Sequence, residues 1–162
     1  MAEIFERTTW LPTSVERAFA FHLDPANIRL IAPPSLKIVA LEKPEVPQVG
    51  SVIRLTVRQW GWPQHWEVVW EVIEHPRGTP LRARLVDRAR RSPFAAWCHE
   101  HAFHADACGC WMTDRVTFQL PLNPWSWPGL PLARWAMERM FEERHRRTAA
   151  YFDTGRIGDP SS

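Results

Sequence analysis

Two histidines separated by a single residue are the first feature of this chain that could do chemistry. The segment WCHEHAFH, residues 97–104, holds three of the seven histidines, among them the pair His99 and His101. Because an imidazole titrates near neutral pH, such a pair could exchange protons, hold a polar ligand group or bind a metal ion. In an extended strand, alternate side chains lie on one face. The chemistry therefore depends on which face the pair occupies.

The alternation of residue types predicts that His99 and His101 face the interior. Trp97 and Phe103 fall on the same face as the two histidines. The opposite face carries Cys98, Glu100, Ala102 and His104. Large apolar rings at both ends of the first set indicate the buried face.

Two aspartates are predicted to face the same interior from neighbouring strands. Asp87 ends the apolar face of LRARLVDR, and Asp114 interrupts the apolar face of CWMTDRVTFQL. A hairpin with an even loop near Asp106–Gly109 would place Asp114 across from His101 or His99, at a pair distance of ~5 Å. An odd loop would turn Asp114 to the other face, and the hydrophobic pattern favours the even loop.

Three interpretations of this polar cluster are open at this point. Buried polar groups usually pair with one another, so a His–Asp pair could be purely structural. The cluster could instead form the polar floor of an apolar pocket, where it orients a ligand or removes a proton from it. A metal site is the weakest of the three predictions, because His-x-His alone is a poor metal signature. No metal and no cofactor are predicted.

The residues predicted to contact a ligand share an inward orientation on the strands or on the last helix. The apolar ones are Trp66, Trp70, Trp97, Phe103, Phe118, Met137 and Phe141, and the polar ones are Asp87, His99, His101 and Asp114. Apolar walls with a few polar groups are typical of a site for a small lipophilic molecule. In an enzyme, His99 or His101 would be the general base and Asp114 would orient it.

The composition is that of a globular chain without a strong preference for a charged partner. The chain has 162 residues, of which 45% are hydrophobic and 23% are charged, and its net charge is +2. This balance predicts neither nucleic-acid binding nor attraction to an anionic membrane. No run approaches the ~18 apolar residues of a membrane span, and the N-terminus lacks the apolar region of a signal peptide. Since three cysteines are too few for a disulfide framework, a reducing cytoplasm is predicted as the location. The expected oligomeric state is a monomer or a homodimer.

Seven strands must position the cluster. Period-two patterns predict them at residues 3–11, 36–41, 51–60, 65–73, 81–88, 94–105 and 110–120. The last six follow one another with short links, which predicts an antiparallel meander.

The helices are predicted from capping signals and a longer period. Two short helices follow the first strand: Thr13 and Glu16 have capping-box spacing, and Asp24 precedes Pro25 at the start of the second helix. After a Pro- and Trp-rich connector, Pro121–Pro131, a long helix is predicted over residues 132–152. The prediction is an α+β helix-grip fold, with one domain over residues 1–154 and a flexible tail over residues 155–162.

The residues of the polar cluster also carry a family resemblance. Trp97, His99, His101 and Phe103 match a Trp-x-His-x-His-x-Phe strand motif, and Asp114 falls in the strand motif that follows it. By these motifs the chain resembles the SRPBCC (START/Bet v1-like) superfamily, specifically its bacterial cyclase/dehydrase-like branch, over almost its whole length. The match departs from the family pattern at Leu85 and Ser92.

The resemblance implies a helix-grip fold, in which a curved antiparallel sheet wraps a long C-terminal helix and leaves a cavity between them. The same superfamily includes lipid and hormone binders as well as polyketide cyclases, so the fold alone does not choose between them. Binding of a small lipophilic molecule is the favoured prediction. A cyclase or dehydratase that uses the His/Asp cluster is the alternative.

Overall fold

The computed structural model describes residues 2–59, 61–121 and 126–154, and its elements follow the predicted order. The strands are β1 (Glu3–Leu11), β2 (Leu36–Glu42), β3 (Val52–Gln59), β4 (Trp62–Arg77), β5 (Arg82–Arg91), β6 (Ala96–Ala105) and β7 (Cys110–Gln119). The helices are α1 (Val15–Leu23), α2 (Ile28–Ile31) and α3 (Ser126–Thr154), with a 3₁₀ turn at Pro25–Asn27 between α1 and α2.

The seven strands form one sheet in the order β1-β7-β6-β5-β4-β3-β2, and every neighbouring pair is antiparallel. Strands β2 to β7 are the predicted meander. The first strand pairs with the last, so α1 and α2 carry the chain from one edge of the sheet to the other. α3 packs on the inner face, where Phe141 contacts Phe5 of β1 with a centroid distance of 5.0 Å. This arrangement confirms the helix-grip fold.

The start of α1 differs by one residue from the predicted capping box. Ser14, not Thr13, has the extended backbone of an N-cap, and its hydroxyl oxygen accepts a hydrogen bond from the Arg17 N–H at 3.3 Å. Glu16 is then too close to the cap to complete a capping box. The second cap is as predicted, because Asp24 accepts a hydrogen bond from the Ala26 N–H at 3.0 Å.

Strand β4 is longer than predicted and changes face along its length. Gln59 pairs with Trp62, so the turn before β4 is shorter than the predicted turn at residues 61–64. Gly61 occupies this turn with φ of 87°, which glycine adopts without steric cost. A register shift between Trp70 and Val72 takes Val72 off the inner face, and Ile73 packs against the core instead. Strict alternation from Trp66 and Trp70 would place Val72 on the inner face, and the register shift overturns that expectation.

α3 begins at Ser126, six residues before the predicted start at residue 132. Pro131 thus lies inside the helix although it has no N–H to donate. Met137, Phe141 and Phe152 of α3 are buried, and Arg147 donates to Glu143 at 2.8 Å across one turn of the helix. Residues 122–125 of the predicted connector and the predicted tail at 155–162 lie outside the described residues.

The buried apolar side chains form two groups on either side of the polar cluster. Along β6, Trp97 belongs to one group and Phe103 to the other, with His99 and His101 between them. Along β7, Asp114 in the same way separates Met112 from Val116. The polar residues therefore occupy the middle of the sheet's inner face.

Among the described helices, none combines the length and apolar character that a bilayer span requires.

Candidate functional site

Strands β5, β6 and β7 bring the four predicted polar residues to one level of the sheet. His99 is the Cα partner of Asp87, and His101 is the Cα partner of Asp114. The turn between β6 and β7 spans four residues, which keeps Asp114 on the inner face as the even loop predicts. His99 and His101 are each 5% exposed and Asp114 is 1% exposed. The predicted juxtaposition of these residues is confirmed.

Asp114 is the centre of this cluster because its two oxygens accept hydrogen bonds from two different elements. His101 Nδ1 donates to Oδ1 from β6, and His145 Nε2 donates to Oδ2 from α3 at 2.8 Å. An ionised carboxylate only accepts hydrogen bonds, so these two ring nitrogens carry protons. His99 Nε2 lies 3.6 Å from Oδ1 of Asp114, beyond hydrogen-bonding distance.

These contacts fix the charge of Asp114. Burial by itself would raise the pKa of this carboxyl, but the pairing with His101 and the hydrogen bonds from the neighbouring imidazoles outweigh burial and hold the pKa well below its usual range. Asp114 is therefore an anion at neutral pH. Its charge lies under the imidazoles, with no direct access to solvent.

His99 and His101 are neutral at the same pH. Burial lowers the pKa of both His99 and His101, although the carboxylate of Asp114 acts in the opposite direction. With Nδ1 of His101 donating to Asp114, Nε2 is left as the acceptor of that ring. The orientation of His101 by a carboxylate is the arrangement that a general base requires.

Two further titratable groups border the histidine pair. His22 of α1 donates from Nδ1 to the Ala18 carbonyl at 2.8 Å, and its ring centroid lies 4.9 Å from that of His101. Burial and the proximity of His101 lower the pKa of His22 to about 3. Asp87 Oδ2 lies 3.6 Å from His99 Nδ1, and burial raises the pKa of Asp87 to about 6. Asp87 is thus poised to gain or lose a proton near neutral pH.

A pocket of about 470 Å³ opens beside this cluster, between strands β2–β6 and the three helices. Seven of the residues predicted to contact a ligand line it. They are Trp66, Trp70, Asp87, Trp97, His99, His101 and Met137. The walls are mainly aromatic and aliphatic, and the polar groups of Asp87, His99 and His101 lie together, with one donor atom of each within 4.8 Å of the others.

The other four predicted ligand contacts, Phe103, Asp114, Phe118 and Phe141, do not line the pocket. Asp114 and Phe118 belong to β7, which α3 covers, so their side chains are enclosed in the core. Phe103 packs under α1 against Phe19, with a centroid distance of 6.4 Å, and Phe141 packs against Phe5. Alternation along a strand predicts that a side chain faces inward, but it does not predict whether a helix covers that side chain.

Three residues at or next to the polar cluster, His22, Arg144 and His145, were absent from the sequence prediction, as were many apolar residues that line the pocket, such as Phe94 and Met140. His22 and Arg144 line the pocket, and His145 holds Asp114 from the side of α3. The spacing of His145, four residues after Phe141 and eight after Met137, was the available signal. This spacing is a weak signal, because polar residues of a long amphipathic helix usually lie on the solvent side.

Asp87, His99 and His101 also form a group that could hold a metal ion, since one donor atom from each lies within 4.8 Å of the others. Ligands around a tetrahedral zinc ion at 2.0–2.1 Å are about 3.3 Å apart, so the three side chains would have to move closer together. The hydrogen bond from His101 to Asp114 resembles the outer contact that orients a metal-bound imidazole. The positive charge of Arg144 on the same pocket opposes a cation.

The sequence matches the family model described as polyketide cyclase/dehydrase and lipid transport over residues 3–153. A search of curated proteins finds no match.

Similar folds occur among solved structures. The di-domain ARO/CYC StfQ from the steffimycin biosynthetic pathway superposes with a TM-score of 0.76 at 13% identity, over 98% of this chain and 53% of StfQ. The chain therefore spans about half the length of StfQ. A START superfamily protein from Mycobacterium smegmatis gives a TM-score of 0.67 at 11% identity, over 93% of this chain and 97% of that protein. Major latex-like protein 151 from Panax ginseng gives 0.63 at 13% identity, over 93% and 97%. At these identities the likeness shows a shared fold.

Proposed function

Because this chain belongs to the polyketide cyclase/dehydrase and lipid transport family, we propose that it binds a small lipophilic molecule with a polar group in the pocket between the sheet and α3. The pocket volume of about 470 Å³ lies within the range of ~300–1,000 Å³ that is usual for small-molecule sites. The apolar walls suit the body of such a molecule, and the polar end formed by Asp87, His99 and His101 suits its head group.

Unpartnered polar atoms around the pocket are the observation that carries this proposal. Trp70 Nε1, His99 Nε2 and Arg144 Nε are buried and make no hydrogen bond to the described part of the chain. All three residues line the pocket. A buried polar atom without a partner is costly, by about 1–3 kcal/mol, so a protein normally supplies a partner. A ligand with one or two oxygen atoms would supply it here.

The proposal can be tested with the fluorescence of N-phenyl-1-naphthylamine, a neutral apolar dye. We expect saturable binding of one dye per chain to the wild-type protein. Ala136 lines the pocket from α3, so Ala136→Trp should fill it and weaken dye binding by tenfold or more. Ala150→Trp, at an exposed position of the same helix, is the matched control and should bind like the wild type. Absence of saturable binding to the wild type would refute the proposal.

The hydrogen bond between His101 and Asp114 favours a second candidate function, an acid–base enzyme of the cyclase or dehydratase type. His101 Nε2 would remove a proton from the carbon next to a ligand carbonyl. A hydroxyl on the next carbon would then leave with that proton as water, and a carbon–carbon double bond would form. In this candidate Asp114 is a positioning residue, because it acts through His101.

This second candidate predicts turnover as well as binding. The simple β-hydroxy ketone 4-hydroxy-4-phenylbutan-2-one can serve as a probe, because its dehydration product absorbs at longer wavelength. An enzyme would accelerate this dehydration, and His101→Gln would abolish the acceleration while dye binding persists. A rate equal to that of the buffer, in protein that binds the dye, would leave binding as the function.

A further inference from the structure

Arg144 differs in charge from the other residues that line the pocket. Among the described residues that line the pocket, it is the one that carries a permanent positive charge. Its Cζ lies 5.0 Å from the ring centroid of Phe141, so the ring supports the guanidinium from one side. The side chain is thus held against the pocket by its own helix.

The neighbouring arginines of α3 show what is unusual about Arg144. Arg146 and Arg147 both donate to Glu143, at 2.6 and 2.8 Å. No described carboxylate lies within 4.0 Å of the Arg144 guanidinium, and its Nε is buried without a hydrogen-bond partner. Arg144 as a whole is partly buried, and an anion at the guanidinium would offset the removal of its Nε from water.

The acidic groups nearest to the pocket have other contacts. Both oxygens of Asp114 accept hydrogen bonds from imidazoles, and Asp24 at the pocket rim pairs with Lys43 at 3.1 Å. Asp87 lies beside His99, with Oδ2 at 3.6 Å from Nδ1, and among the described residues no Asp87 oxygen lies within 4.0 Å of the Arg144 guanidinium, although the charge of Arg144 acts to lower the pKa of Asp87. The chain therefore leaves the Arg144 guanidinium available to a ligand.

We propose that the pocket selects lipophilic molecules that carry a carboxylate, which Arg144 binds through charge-assisted hydrogen bonds. This inference rests on the proposed binding function and names the chemical class of the ligand. The hydrocarbon part would lie against Trp66 and Trp97, and the carboxylate would lie at the polar end of the pocket, next to α3.

Two dyes with the same ring skeleton test the inference. 1-Anilinonaphthalene-8-sulfonate carries an anionic group that stands in for a carboxylate, and N-phenyl-1-naphthylamine lacks it. We expect Arg144→Gln to weaken binding of the sulfonate about tenfold or more, which is the effect of losing one charge-assisted hydrogen bond, and to change binding of the neutral dye less than twofold. Arg139→Gln, an exposed position on α3 with 70% of its side chain accessible, removes the same charge outside the pocket and should change neither.

The outcomes separate the inference from the proposed function. If the wild type binds neither dye, the proposed function fails. If it binds both, and Arg144→Gln weakens both equally or neither, the carboxylate inference alone fails.

A carboxylate and an alcohol of equal chain length provide a test that needs no variant. Decanoate should displace the neutral dye from the wild type at concentrations at least tenfold below those of decanol. Equal displacement by the two would overturn the inference even if Arg144→Gln does not fold. Arg144→Lys, which keeps the charge but loses the planar fork, should retain part of the preference for decanoate.

Discussion

His101 and Asp114 face each other across β6 and β7, and Nδ1 of the imidazole donates a hydrogen bond to Oδ1 of the carboxylate. This bond joins two parts of the site: Asp114 is enclosed in the core, whereas His101 lines the pocket. His145 completes the contact from α3. A single buried carboxylate therefore connects the sheet, the long helix and the orientation of a pocket residue.

Replacing Asp114 by asparagine should destabilise the fold. Asparagine retains one acceptor oxygen but places an N–H₂ group opposite one of the two donor nitrogens, and it removes the charge that both hydrogen bonds use. We expect the free energy of unfolding in urea to fall by about 2–5 kcal/mol. Asp153→Asn, at an exposed position of α3, should change it by less than about 0.5 kcal/mol. Equal stability of the two variants would contradict the central role of Asp114.

The lowered pKa of His22 predicts a specific loss of stability in acid. The folded protein keeps His22 neutral down to about pH 3, whereas the unfolded chain binds its proton near pH 6.5. Between these values the unfolded state binds one more proton, so this group makes stability fall as the pH falls, by about 1.4 kcal/mol per pH unit. His22→Asn, which keeps a donor for the Ala18 carbonyl, should remove that part of the slope in unfolding curves between pH 6 and pH 4.

His104 offers the matched control for this pH experiment. It lies on β6 but its side chain is on the outer face and exposed. His104→Asn should leave the slope of stability against pH as it is in the wild type. If His22→Asn and His104→Asn give the same slope, burial of a neutral His22 is wrong.

The titration of Asp87 should change the dependence of stability on pH in the opposite direction to that of His22. Its pKa is raised to about 6 in the folded state and is near 3.9 in the unfolded chain. The folded state therefore holds an additional proton between these values, and the stability contributed at low pH is lost as the pH rises through 6. We compare the free energy of unfolding of Asp87→Asn with that of the wild type at two pH values. Between pH 3.5 and pH 7.5 this difference should shift in favour of the variant by about 2–3 kcal/mol. A difference that is independent of pH would show that Asp87 titrates normally.

Substitutions in the pocket wall should mainly affect ligand binding, and substitutions in the core should mainly affect stability. Trp66 lines the pocket and is partly buried. Phe118 of β7 does not line the pocket and is 1% exposed. Phe118→Leu should lower the free energy of unfolding by about 1–3 kcal/mol and leave binding of N-phenyl-1-naphthylamine close to wild type. Trp66→Leu should weaken dye binding several-fold with a smaller loss of stability. Loss of dye binding in folded Phe118→Leu would contradict the assignment of Phe118 to the core.

The inner face of the sheet was predictable because side-chain alternation has a fixed period. Trp97, His99, His101 and Phe103 are all buried, and Asp114 faces His101 at the register that the even loop implies. The exception is β4, where the register shift at Trp70 exchanges Val72 for Ile73. A bulge of this kind has no signature in the hydrophobic pattern of one strand, since it depends on how the neighbouring strand pairs.

The contributions of the helices to the site were harder to predict. His22, Arg144 and His145 reach the polar cluster only because α1 and α3 pack across the inner face, and this tertiary contact is not encoded in any single segment. A polar residue on an amphipathic helix usually lies in solvent, and only the spacing of His145 from Met137 and Phe141 indicated otherwise. The same packing of α3 over β7 encloses Phe118, which alternation alone could not distinguish from a pocket wall.

The central claim, that the pocket binds a small lipophilic molecule, is tested most directly by native mass spectrometry of the protein purified from its own source. We predict that the wild-type chain carries one small molecule that is released on denaturation, and that Ala136→Trp isolated in the same way does not carry it. A wild-type mass equal to that of the polypeptide alone, indistinguishable from the result for Ala136→Trp apart from the substitution, would contradict the claim.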